Sequence, residues 1–534
     1  MRFLIEQIPW GMVGSCVLSV LLAVILIRRI RPGSRDGAIA LALSAAILTL
    51  QAALYFRSTV DDAFITFRFA RNWAEGLGPV YQAGERVEGY TSFAWMALLA
   101  LAHRVGIDIE NASKVLGYGS ALAGLFFTLR LSRSALEDRA LAPLGPLLLA
   151  LQPLWAAWTF AGMEAVFFAA ALAGAAGLMV GESDAGRRPL WSAVAFGLLI
   201  WIRPEGALFA GCAWLALYPL GDLRAGGWRN AVRWALLFGA VAAPFWLWRW
   251  SYYGALFPNT LYAKTELSLG SLYRGIASLG DFGLYWGALA LILIVLSLLS
   301  GRPPGALGRF LRLAVPLFLL YTVWAGGDVL HLRFFVHVLP LLVVMMLPGL
   351  ENAVRLLRPV GEAASARARA VAAISAVGGF VVLAYLADAR AFVTADQFGP
   401  SYVVANARNV MQADAPLGRW LHDHAAPGSR VAAWDIGALG YYSQLPIVDL
   451  FGLTDRTFAQ LIHHRATPLQ LLNALRASPP DYIVDYGANG VIRSNWLDSD
   501  PAWLRSHYKI TSYWPDSPYT GVVLLTRVYA RPSR

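Results

Sequence analysis

The sequence is short of charge. Of its 534 residues 14% are charged and 57% are hydrophobic, where an ordinary soluble domain carries roughly 25% charged residues. That shortage excludes a soluble enzyme, a disordered chain and a nucleic-acid-binding protein. The net charge of +11, from 44 basic and 33 acidic residues, therefore needs an explanation other than nucleic acid. Beside long apolar runs, basic residues set membrane orientation. Cysteine is nearly absent: Cys16 and Cys212 both lie in apolar runs, so no disulfide framework is available. There is no Walker A loop, no GxSxG, no GxGxxG with an acidic ribose contact and no tight metal spacing such as HExxH. A nucleotide-dependent reaction thus has no visible site.

What the sequence has in quantity is apolar runs of spanning length, near 8–27, 38–56, 113–130, 140–160, 163–181, 190–203, 206–220, 233–250, 283–300, 313–326, 334–349 and 370–388. They predict a polytopic α-helical membrane protein of about twelve transmembrane helices. The first run reads as a span and not as a removable signal peptide, because Arg28 and Arg29 follow it directly with no small-residue cleavage site. Alternate loops carry nineteen arginines, from Arg28 and Arg29 to Arg367 and Arg369. The positive-inside rule makes those loops cytoplasmic and the others outward. The stretch 92–102 is too short to span and reads as an interfacial or re-entrant helix. Domains are expected at 1–388, membrane-embedded with an outward first loop at 57–112, and at 389–534. The tail alternates β-rich runs with helical ones and predicts a small outward α/β domain, periplasmic in a bacterial inner membrane.

The unusual polar residues collect in the outward loops. Asp61-Asp62 opens a helical pattern in which Ile65, Phe69 and Trp73 share one face and Phe64, Arg68 and Arg71 another. Two readings stay open: the acids cap this helix, or one is a general base that its neighbour positions, with or without a divalent cation. Glu164 sits at the mouth of two apolar helices, and Arg203 and Glu205 flank Pro204 in a tight turn. Tyr252, Tyr253, Asn259 and Lys264 follow the eighth run; the aromatics suit headgroup level, and Lys264 could neutralise a phosphate. Lysine is scarce, three in all. A further loop holds Asp328, His331, Arg333 and His337, read as a phosphate clamp by Arg333 with Asp328 orienting it. With its polar groups outward, such an enzyme needs an activated substrate delivered through the membrane, and a lipid phosphate is the natural form.

At these residues the chain resembles the glycosyltransferase C superfamily, and more narrowly the terminal β-arabinofuranosyltransferases of bacterial cell walls. The resemblance rests on Asp61-Asp62 with Arg68 and Arg71-Asn72, on Gly84-Glu85-Arg86-Val87-Glu88, Gly162-Met163-Glu164, Arg203-Pro204-Glu205, Tyr252-Tyr253-Gly254, Ala263-Lys264, Gly326-Gly327-Asp328 with Arg333, and Gly437-Ala438-Leu439-Gly440. Gly89-Tyr90 and Phe257-Pro258-Asn259 depart from the pattern. The resemblance implies an inverting glycosyltransferase that moves a pentose, arabinofuranose, from a polyprenyl-phosphate donor to a glycan, glycolipid or glycoprotein acceptor. It implies Asp61 or Asp62 as the base, and Lys264, Arg333 and Arg203 on the donor phosphate. Arg68, Glu88, Glu164, Glu205, Tyr252, Tyr253, Asn259, Asp328 and His331 would bind substrate. The competing expectation is a transporter or flippase of lipid-linked sugars, which should carry charges in broken helices near the bilayer midplane.

Overall fold

The computed structural model describes residues 34–186, 190–219, 221, 227–264, 268–286, 288–299, 305–328, 332–356, 400–488, 491–492, 497–514 and 522–528. The runs 8–27 and 370–388, His331 and the side chain of Lys264 lie outside the described residues. The chain is mostly helical. Four described helices are long and apolar enough to cross a membrane: Ile109–Ala135, Ala165–Asp184, Trp228–Tyr253 and Ala306–Trp324. Two bent pairs bring the number to six if each is one span. Shorter apolar helices include Leu190–Ile202 and Gly206–Leu217. This is a multi-pass membrane protein. The expected run 140–160 is broken into Leu144–Ala150 and Pro153–Thr159, bent by 58°. Pro153 opens the second piece because proline suits the first turn of a helix and disrupts its interior.

The chain divides into two compact units. The first takes Met1–Arg57, Lys114–Phe245 and Leu267–Val403 and contains most of the apolar helices. Interdigitated rings fill its interior: Phe168 meets Phe209 at 5.9 Å between centroids, and Phe209 meets Phe318 at 5.2 Å. The second unit takes Ser58–Ser113, Trp246–Glu266 and Val404–Arg534, so the first loop and the tail fold together.

A six-stranded sheet organises the second unit, formed by β1 (Val431–Ala433), β2 (Ile447–Asp449), β3 (Tyr482–Ala488), β4 (Val491–Ile492), β5 (Tyr508–Trp514) and β6 (Val522–Arg527). The order is β2-β1-β3-β6-β5, with β4 paired to β3. β1 runs parallel to both neighbours, Val431 facing Ile447 on one side and Tyr482 on the other. β3, β6 and β5 are antiparallel. Helix Gly437–Ser443 connects β1 to β2, and helices Arg456–His463 and Pro468–Ala477 connect β2 to β3. The local sequence explains the starts: Asp455 caps the first of that pair, while Thr467 and Gln470 form a capping box with Pro468 at the first position of the second. Ala432, Val448, Phe458, Leu472, Ile483, Val523 and Leu525 make the core beneath. Since β1 lies between β2 and β3, the chain leaves it to one side and returns on the other. The carboxyl end of β1 is therefore a topological switch point, the place where sheets of this kind bind ligands.

Helix Asp61–Ala74 packs within this unit against Gly437–Ser443 and Phe93–Arg104. Phe64, Ile65, Arg68 and Phe69, from both of its expected faces, are buried, while Arg71 and Trp73 are half-buried. Helix Phe93–Arg104 ends in exposed Leu101 and Val105.

Candidate active site

The Asp pair does not cap its own helix. Val60 holds the N-cap position and no side chain caps there. Instead Asp61 reaches the switch point: Oδ2 accepts from Gly437 N at 3.0 Å and Oδ1 from Ala438 N at 2.7 Å. These are open N–H groups of the helix that follows β1, a position that favours a negative charge. The Asp61 carboxylate thus occupies the place an anionic ligand takes in other sheets of this design. Its own N–H donates to Asn406 Oδ1 at 2.7 Å. Asp61 is buried, whereas Asp62 is half-exposed. Burial pushes the Asp61 carboxyl up to about 6; the bonds from Ala438 and Gly437 oppose this and the Asp62 charge adds to it.

Two further acids complete the cluster. Asp435 follows β1 at the switch point, and burial, then the charges of Asp61 and Asp62, hold its carboxyl well above the ordinary carboxylate range. Asp414 accepts from Asn409 Nδ2 at 2.6 Å and is raised in the same direction by burial, Asp435 and Asp61. Among the described residues no group of three or more His, Cys, Asp or Glu side chains is arranged to hold a metal ion.

The first loop grips the tail through its arginines. Arg68 Nη1 donates to Gly440 O and Nη2 to Leu445 O, each at 2.8 Å, with its guanidinium 4.3 Å from the Tyr81 ring centroid. Arg71 Nη1 donates to Tyr441 O at 2.9 Å and stacks over its ring. Space is tight here: a Cβ on Gly437 would stand 1.9 Å from Asp61 O, and one on Gly440 would stand 2.0 Å from Tyr81 Oη. Arg68, expected on substrate, is buried and bonded to backbone carbonyls.

Elsewhere in the same unit, Arg249 Nε donates to both Glu88 oxygens, at 2.8 and 2.7 Å. Tyr253 is buried and donates to Pro79 O at 2.7 Å; Tyr252 stacks on Trp248 under the Arg86 guanidinium. Asn259 Nδ2 donates to Gly452 O at 2.7 Å and Leu453 O at 3.1 Å. The aromatics expected at headgroup level fasten loops to one another here.

The first unit holds Glu164, Arg203, Glu205, Asp328 and Arg333, while Lys264 belongs to the second. Arg203 is held by Glu164 and by Glu205, to which Nη2 donates at 2.9 Å and Nε at 3.1 Å; Tyr321 OH also donates to Glu205, at 3.2 Å. Arg333 donates from Nε and Nη2 to Asp328, both at 3.0 Å. Both guanidiniums lie 5.5 Å from the Phe334 ring centroid. Glu164, Arg203, Glu205, Asp328 and Arg333 thus converge, but two guanidiniums face three carboxylates. His337 is fully buried against Phe168, Phe318 and Phe334 with neither ring nitrogen hydrogen-bonded.

ArnT from Cupriavidus metallidurans, solved with undecaprenyl phosphate, superposes with a TM-score of 0.59 at 13% identity, over 90% of this chain and 97% of its own. The Archaeoglobus fulgidus oligosaccharyltransferase superposes with a TM-score of 0.52 at 12% identity, over 89% of this chain and 69% of its own. The chain has the glycosyltransferase C fold. In sequence, residues 402–529 match a domain of unknown function (DUF8728). The terminal β-(1→2)-arabinofuranosyltransferase of Mycobacterium tuberculosis is 32% identical over 223 residues, 39% of this chain and 35% of the relative. That of Corynebacterium glutamicum is 27% identical over 353 residues, 57% of this chain and 49% of the relative. The chain therefore spans between about a third and a half of the curated relatives it matches.

Within this glycosyltransferase C fold, sequence reasoning missed Asp435, Asp414, Asn406 and Arg249. A signal existed for Asp435, an acid directly after the β-rich run 429–434 and before Gly437-Ala438-Leu439-Gly440. Arg249 stands at the end of an apolar run, where an isolated charge calls for a partner. Its partner is 161 residues away, so no spacing could reveal it.

Proposed function

We propose that the protein is an inverting membrane glycosyltransferase that moves a pentose, arabinofuranose, from a polyprenyl-phosphate donor to a cell-envelope glycan, glycolipid or glycoprotein on the outer face of the inner membrane. The names of the two curated relatives support the sugar, and the undecaprenyl phosphate in ArnT supports the donor. The observation that carries the catalytic assignment is the division of labour in the Asp pair. Asp61 is buried and bonded to Gly437 and Ala438, and Asp62 is the more exposed of the two, so an acceptor reaches Asp62, the general base, and Asp61 is a positioning residue.

In this reading Asp62 takes the proton of an acceptor hydroxyl as its oxygen attacks the anomeric carbon. The bond from that carbon to the phosphate oxygen breaks as the new glycosidic bond forms, and a single displacement inverts the centre. The departing polyprenyl phosphate is a weak base and needs little general-acid help. Arg333 and Arg203 stabilise its charge, which requires the two arginines to exchange part of their carboxylate contact for phosphate. The inward arginine loops support the outward placement of this chemistry.

The experiment is an in vitro transfer assay with a panel of polyprenyl-phosphate sugars, read by mass spectrometry with and without chelator. Transfer from the arabinofuranosyl donor supports the reading. Transport of labelled donor across vesicles with no glycoside formed would replace it with a flippase.

A further inference from the structure

The second unit holds a cavity of about 390 Å³, apart from the acid cluster, between the segment 253–259, the Val87-Glu88 corner and helix Arg456–His463. Its size falls within the range of small-molecule sites. Three parts of the sequence build it, and each is tied in place. Asn259 N donates to Glu88 O at 3.0 Å. Arg456 Nη2 donates to Arg86 O at 3.0 Å and Tyr253 O at 2.6 Å. The site is therefore preformed.

Its lining decides the class of ligand. The Glu88 carboxylate, paired with Arg249, and the Asn259 carboxamide, whose N–H groups bond Gly452 and Leu453, supply acceptor oxygens; Gln460 supplies a carboxamide, His463 an imidazole and Arg456 a guanidinium. Leu256 and Phe257, 48% and 39% exposed, give it an apolar wall. A prenyl chain would leave that many polar groups unpaired, which is costly. A phosphate would meet the Glu88 carboxylate, and the two nearby guanidiniums already hold protein oxygens, Arg249 those of Glu88 and Arg456 the carbonyls of Arg86 and Tyr253. A sugar suits both halves: its hydroxyls donate and accept, and its ring carbons pack on apolar surface.

We infer that this cavity is a binding site for the acceptor glycan, with Gln460 and His463 of the tail and Phe257 of the 253–259 segment as its specificity residues. The inference rests on the glycosyltransferase reading and extends it, giving the DUF8728 segment the task of holding the acceptor.

The test uses the full chain in detergent and two probes, a hexaarabinofuranoside and maltohexaose, with binding measured by titration calorimetry and ligand-observed NMR. Gln460 and His463 are exposed, so Gln460→Ala and His463→Ala leave the fold intact. Binding of either sugar that weakens about tenfold in these variants, a loss of about 1.4 kcal/mol, supports the site. Equal binding in wild type and both variants, or no binding of either sugar, overturns it. Transfer is assayed separately. Sugar binding without any transfer overturns the functional reading alone, whereas transfer with an unchanged acceptor KM in both variants overturns this inference alone.

Discussion

Asp61 Oδ1 accepts the Ala438 N–H at 2.7 Å, so a carboxylate of the first loop closes the helix that follows β1 in the tail. The bond joins residues 377 apart in sequence. It makes the loop that carries the acid pair and the sheet of the tail a single folded object.

Asp61→Asn and Asp62→Asn should therefore behave differently. The Asp61 variant turns an amide N–H toward an N–H donor, and an unsatisfied buried group costs about 1–3 kcal/mol. Thermal denaturation followed by tryptophan fluorescence should show that loss. Asp62→Asn should melt closer to wild type than Asp61→Asn does and transfer sugar about 10²–10⁴-fold more slowly.

Gly440→Ala should destabilise the second unit by about 1–3 kcal/mol, the usual effect of overpacking. The added methyl meets Tyr81 Oη and the Arg68 guanidinium. Arg68→Lys should also destabilise, because a lysine cannot span the carbonyls of Gly440 and Leu445 together. A denaturation midpoint equal to wild type in either variant would count against the packing described.

Acidification should stabilise the protein. The Asp61 carboxyl sits at about 6 in the fold against an ordinary 3.8, with burial the main cause, and Asp414 and Asp435 are raised too. The folded state then binds protons that the unfolded chain releases. The Asp61 contribution is complete below about 3.8 and is lost as pH rises through about 6. The melting temperature should rise between pH 7 and pH 5, and Asp435→Asn should flatten that rise.

Arg333→Lys should raise the KM for the lipid-phosphate donor about tenfold, with a smaller change in kcat. Lysine keeps the charge and loses the two-point geometry seen with Asp328. Steady-state kinetics at varied donor concentration checks it.

Much of this was legible in the sequence. Apolar run length and arginine alternation pointed to a multi-pass protein, and the five β-rich runs of the tail correspond to β1, β2, β3, β5 and β6. The Asp pair was visible as well. What it touches was not, since Gly437 and Ala438 are hundreds of residues away and only the packing of helix Asp61–Ala74 on the tail brings them together. Arg333 reads in the sequence as a phosphate clamp with Asp328 orienting it, and Arg203 joins it by the resemblance. Their nearest partners are carboxylates, because a buried charge must be matched within the fold.

The most direct test is sugar transfer by purified wild type and Asp62→Asn from polyprenyl-phosphate arabinofuranose to an oligosaccharide acceptor, with both proteins matched in melting temperature. The account predicts an inverted arabinofuranoside from wild type and a loss of at least about 10²-fold in the variant. Wild-type rates in Asp62→Asn, or loss of transfer in Asp61→Asn alone, would contradict it.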